Sequence, residues 1–343
     1  MTICAALLFA LSSCQAASES SEGSRFGDAT RFLDDLVTVR VGSSPFGAMW
    51  LERVDGQFAP IEVAADGGEF HLPEGAWRLR STNPRAEVAP IPVPAFVERS
   101  ITVRLGPARS NDEEFRSIPA GPALIGDRLG VGQPDERPVR IVEVPEFQIG
   151  RYEVTNAQFV EFLNGVEDRA AIEGLVDLRS RKCRIRRGDE GRFVTDAPDL
   201  PVVTISFEGA RAYCAFRAEL DDGAVYRLPT EVEWEKAARG PSSLVFSYGD
   251  VYTPSAANQE SGRLREVGAF QPNEWGLHDM TGNAFEWTSD LEDVGDSGAS
   301  PRVYLRGGSF VLDGIFLRNA FRMMLRPTVR ADDVGFRVVR EFR

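Results

Sequence analysis

Thirty-two glycines and 21 prolines are spread along this 343-residue chain rather than gathered into tails. Proline removes a backbone donor and glycine loses the most entropy in regular structure, so a chain interrupted this often cannot build long helices or broad unbroken sheets. The pattern predicts many turns and short elements. With 43% apolar residues there is still ample material for packed cores, and the length allows two or three domains. The 52 acidic and 39 basic residues give a formal charge of −13. That balance argues against nucleic acid, whose recognition needs a net basic stripe to displace counterions. An anionic partner would need a local arginine pocket. Only Lys182 and Lys236 among the basic residues are lysine.

The opening stretch "MTICAALLFALSSCQAASESSEGS" holds an apolar run too short to span a bilayer, then small residues, then a Ser/Glu-rich segment. That is the shape of a removed export signal. "LSSC", ending at Cys14, resembles the lipobox of bacterial lipoproteins; a plain secretory signal is the alternative. The expectation is a signal and lipobox over 1–14, a flexible tether over 15–27, and an exported lipoprotein held to a membrane of the bacterial cell envelope through its lipid anchor. Export would leave Cys183 and Cys214 for the folded part. They either close a disulfide or, since Cys214 lies in an apolar helical pattern, stay as free thiols.

From 28 to 108, "LVTVRV", "GAMWLERV", "EFHLPEGAWRLRS" and "RSITVRL" alternate apolar and polar residues between turns, as strands of a small β-sandwich-like accessory domain would. His71 reads as a strand residue, because no second ligand accompanies it. "RSNDEEF", from Arg109, marks a boundary, and from 113 to 343 the texture changes. "YEVTNAQFVEFLNG" offers Thr155 and Gln158 as a capping box, and "LPTEVEWEKAARG" repeats it with Thr230 and Glu233 before a face of Trp234, Ala237 and Ala238. "VTISFEGARAYCAFRAEL" predicts a third helix behind Ser206.

The runs "IPAGPALIGD", "FQIGRYEVTNAQFVEFLN", "YRLPTEVEWEKAARG", "NEWGLHDMTGNAFEWTSD", "LRGGSF" and "GFRVVR" occur in the order found in the formylglycine-generating enzyme (sulfatase-modifying factor) family. This resemblance covers about residues 113 to 343. It implies an α+β domain related to the C-type lectin fold, with little regular secondary structure. In that family a cysteine pair beyond the Gly-Gly-Ser turn binds copper(I), activates oxygen and oxidises a sulfatase cysteine to formylglycine. "LRGGSFVLDGIFL" places Leu312 and Leu317 where the thiols should be. Leucine cannot coordinate copper, and thiolates are what select Cu(I), so no copper is expected. With His71 and His278 as its two histidines, the chain also lacks a good 2-His-1-carboxylate iron site.

The resemblance further implies a structural calcium loop in "DMTGNAFEW", with Asp279 and Glu286 side chains and the carbonyls of Gly282 and Ala284 as ligands; hard oxygen donors suit Ca²⁺. A second calcium loop would involve Asn258 and the Gln259 carbonyl, although the segment from Glu260 to Leu264 lacks the expected aspartate. Arg306, Arg318, Arg322 and Arg337 read as ties between loops, with Ser309, Asp313 and Arg318 as a ligand groove in the functional alternative. Trp234, Trp275 and Trp287 are assigned to the core. The resulting expectation is a catalytically silent binding or scaffolding module for a peptide, protein or glycan ligand at the cell envelope. The alternatives are a formylglycine-generating oxidase and an enzyme of unrelated chemistry in the same groove.

Overall fold

The computed structural model describes residues 37–53, 59–72, 75–83, 89–93, 101–103, 113–168, 170–221, 223–295 and 298–342. The expected signal, lipobox and tether lie outside the described residues.

The first strands are β1 (Val37–Val41), β2 (Met49–Arg53), β3 (Ile61–Val63), β4 (Gly68–Leu72), β5 (Gly75–Ser81), β6 (Ala89–Val93) and β7 (Ile101–Val103). They form two sheets, ordered β4-β1-β7 and β3-β2-β5-β6. The alternation in the sequence explains the packing. Val39 and Val41 of one sheet turn toward Met49, Leu51, Trp77 and Leu79 of the other, making one shared core, while Arg40 between the valines stays outside. His71 is an exposed strand residue 3.3 Å from the Thr38 hydroxyl. Two strands lie outside the expected runs, β3 and β6, and the sequence of β6, APIPV, carries two prolines. Strand β6 sits at a sheet edge, where a missing ladder donor is tolerated.

The rest of the chain is α+β. Its strands are β8 (Phe115–Ile118), β9 (Gly121–Ile125), β10 (Arg140–Val144), β11 (Phe147–Gly150), β12 (Ile185–Arg187), β13 (Phe193–Thr195), β14 (Ala224–Arg227), β15 (Phe285–Leu291), β16 (Val303–Arg306), β17 (Met323–Leu325), β18 (Val334–Gly335) and β19 (Val339–Phe342). Among the described residues, the helices α1 (Asn156–Gly165), α2 (Ile172–Leu175), α3 (Phe207–Leu220) and α4 (Glu231–Arg239) join them. Two four-stranded sheets, β14-β19-β11-β8 and β17-β16-β15-β18, are accompanied by the hairpins β9-β10 and β12-β13. The last strand, β19, inserts between β11 and β14.

Both capping boxes form. The Thr155 hydroxyl accepts from the Gln158 N–H while the Gln158 side chain accepts from the Thr155 N–H, and Thr230 and Glu233 repeat the exchange. Ser206 caps α3 through the Gly209 N–H at 3.0 Å. Between α1, α3 and the β15 sheet lies the main core, where Phe159, Phe162, Tyr213 and Phe336 meet ring to ring. Trp234, Ala237 and Ala238 of α4 pack instead against Ile118, Ile125 and Ile149 in a second cluster. Trp234 and Trp287 are fully buried and Trp275 is partly so. Cys183 and Cys214 are both free thiols. Among the described residues no helix is long and apolar enough to cross a membrane.

Candidate functional site

Strand β16 delivers Arg306 to a reversal at Gly307 and Gly308, whose φ values of 93° and 72° lie in the left-handed region that favours glycine. The chain then folds back as a 3-10 turn, Gly314–Leu317, over that reversal. Contact is close: a Cβ on Gly308 would stand 2.4 Å from a Leu317 methyl and 2.8 Å from the Phe316 carbonyl oxygen. Leu317 is fully buried and Leu312 nearly so, and both belong to the main core. The remaining thiols of the folded part do not supply sulfur here. Burial among apolar residues of α3 pushes the Cys214 thiol up to about 12, and Cys183 points at the Ile185 carbonyl, its thiol also raised by burial. The residues present do not fit copper(I).

The arginines of this region face inward. Arg306 is buried and donates to the carbonyls of Asn319, Ala320 and Phe321 and to the Glu235 carboxylate. Arg322 pairs with Glu231 and lies 3.8 Å from the Tyr304 ring centroid. The expected groove of Ser309, Asp313 and Arg318 is not assembled. Arg318 binds both oxygens of Glu136 at 2.7 and 3.0 Å, approaches Asp127 at 3.2 Å, and donates to the Ile315 carbonyl. Buried Ser309 donates to Asp333 at 2.8 Å. Only Asp313 of the three is exposed, two residues before exposed Ile315. The reason is electrostatic: buried guanidinium groups need carboxylates and carbonyls, and this fold supplies them from distant segments.

The calcium loop has a different character. Asp279, Gly282 and Asn283 all have positive φ, so the loop is tightly wound. Asp279 accepts from the Gly268 N–H at 2.6 Å. Glu286 is wholly buried; Arg337 grips both its oxygens at 2.7 Å, and the Trp234 indole donates to one at 2.6 Å. A third carboxylate, Glu153, joins them, accepting from the Asn283 side chain and the Ala284 N–H. Burial, reinforced by Asp279 and Glu286, holds the Glu153 carboxyl well above its ordinary range. Burial and the Glu286 charge push Asp279 up to about 6. Three carboxylates thus share one guanidinium, leaving negative charge that a cation would offset. Among the described residues no three His, Cys, Asp or Glu side chains converge on a common metal position. An ion here would therefore depend on the carbonyls of Gly282 and Ala284 as well as on Asp279 and Glu286. All-oxygen donors are the type calcium takes, while both Glu286 oxygens already accept from Arg337 and Trp234.

At the second expected loop the Asn258 side chain is taken up by Ser261, Asn283 and the Arg263 carbonyl, so it is not available as a ligand beside the Gln259 carbonyl. The loop's one carboxylate, Glu260, is exposed. His278 packs as expected, stacking against Tyr152 with ring centroids 4.9 Å apart and one ring nitrogen 2.9 Å from the Phe270 carbonyl.

Comparison with known proteins places these features. Residues 104–342 match the model of the sulfatase-modifying factor enzyme 1-like domain. The inactive C-alpha-formylglycine-generating enzyme 2 of Bos taurus is 31% identical over 267 residues, spanning 64% of this chain and 85% of the relative. The formylglycine-generating enzyme of Streptomyces coelicolor is 30% identical over 296 residues, spanning 68% and 91%. Among solved structures, PvdO from Pseudomonas aeruginosa superposes with a TM-score of 0.52 at 28% identity, covering 66% of this chain and 94% of PvdO. Relatives thus include both active and inactive forms. The chain belongs to the sulfatase-modifying factor enzyme 1-like family.

Proposed function

We propose that this protein is a catalytically silent member of its family that works by binding. The observation that carries the reading is the pair Leu312 and Leu317, packed as core hydrocarbon where the resemblance calls for two thiols. Function resides in a site rather than in a fold, and oxygen activation at copper has no ligand set here. Kinship with a formylglycine-generating enzyme at 30% identity supports the oxidase as the competing reading. Titration with copper(I), followed by incubation with a sulfatase-derived cysteine peptide, separates the two. The silent module gives neither a tight thiolate complex nor an aldehyde product; stoichiometric copper binding with aldehyde formation overturns it.

In the same reading, calcium at Asp279, Gly282, Ala284 and Glu286 staples the wound loop, and the lipobox at Cys14 anchors the protein at the cell envelope. Chelation should lower the melting temperature, by the equivalent of about 2.7 kcal/mol where calcium had stood at a hundredfold excess over its Kd. Asp279→Asn is the better variant for this test, because removing Glu286 would strand the buried Arg337 whether or not an ion binds. A melting curve indifferent to chelation refutes the staple.

A further inference from the structure

Six of the nine residues from Arg179 to Arg187 are basic, in a chain whose net charge is −13. Two of the six are spoken for: Arg184 pairs with Asp196 through two contacts at 3.1 and 2.8 Å, and Lys182 donates to the Gly262 carbonyl. Arg179, Arg181, Arg186 and Arg187 are exposed and close no salt bridge among the described residues, although Arg186 lies within electrostatic range of Asp196. Local geometry gathers some of them. Buried Ile185 fixes the inner face of β12, so Arg187, two residues on, falls on that face with its guanidinium 5.4 Å from the Phe193 ring centroid. Arg330 is held nearby by its bond to the Glu173 carbonyl. Arg179, Arg187 and Arg330 together line a cavity of about 550 Å³, within the roughly 300–1,000 Å³ span of small-ligand sites.

The lining restricts what can enter. Guanidinium groups that close no salt bridge within the fold can receive an oxyanion, and their planar fork matches a carboxylate. Glu173 and Asp177 also line the cavity. They would repel a densely charged polyanion, yet they offer acceptors to hydroxyl donors beside a single carboxylate. Ile172, Val176 and Leu178 add apolar surface that can receive the C–H face of a ring. From this combination we infer that the cavity at Arg179, Arg187 and Arg330 binds the uronic-acid units of a carboxylated glycan. The inference rests on neither Leu312 nor Leu317, so it survives or fails independently of catalytic silence.

Calorimetric titration of the purified full-length protein with trigalacturonate, maltotriose and a hexaglutamate peptide tests it. Trigalacturonate should bind and neutral maltotriose should not. The double variant Arg179→Ala, Arg187→Ala should weaken trigalacturonate binding by about tenfold or more with an unchanged melting temperature. Arg211→Ala, which removes one positive charge from the exposed face of α3, should leave binding intact. Absence of trigalacturonate binding, equal binding by the double variant, or equal or tighter binding of hexaglutamate each overturns the assignment, the last in favour of an acidic-peptide site.

Discussion

Two arginine-rich stretches of this protein do opposite things. Along 302–322, Arg306 and Arg318 are sunk in the fold and bonded to carboxylates and carbonyls. Along 179–187, all five arginines are exposed, and only Arg184 closes a salt bridge among the described residues. In sequence the first stretch invites a ligand and the second, lying between a short helix and a hairpin, looks incidental. What separates them is the supply of counter-charges. Glu136, Asp127, Glu231 and Glu235 converge on the first stretch, whereas the second has the one paired aspartate, Asp196. An arginine stays available to a partner where the fold has not closed an ion pair on it.

The sharpest way to break this contrast is Arg318→Ala. It leaves Glu136 and Asp127 buried without their cation, so chemical denaturation should show a loss of about 3–5 kcal/mol. A loss under 1 kcal/mol would return Arg318 to the role of a ligand residue. Arg322→Ala removes a partly exposed pair with Glu231 and the contact with Tyr304, and should cost about 1 kcal/mol in the same measurement. Arg186→Ala, at an exposed position of β12, should shift stability by no more than about 0.5 kcal/mol. If Arg186 proved as costly as Arg318, the division into inward and outward arginines would fall.

Local chemistry made much of the fold readable. The capping boxes at Thr155 and Thr230, the Ser206 cap and the alternating strands β1, β2 and β5 each carry their signal within a few residues. The site was less legible, because its decisive contacts are remote. Arg318 meets Glu136 across 182 positions, so nothing near Arg318 reveals which way it turns. Glu153 looks like an ordinary polar residue ahead of a helix, and its burial is set by Asn283 and Ala284, 130 and 131 positions on. The available signal was an acid wedged between Tyr152 and Val154 where the strand pattern runs out. In β6 the prolines hid a strand that only its edge position permits.

The tight seat of Leu317 against Gly308 bears on any effort to engineer oxidase chemistry into this scaffold. Exchanging leucines for cysteines would subtract methyl groups from a filled interior and open a void beneath the Gly-Gly reversal, loosening the very backbone that must hold two sulfurs in register. Installing a metal would therefore require compensating bulk from neighbours such as Phe316 and Phe321, a redesign of the whole pocket floor and not a pair of point changes.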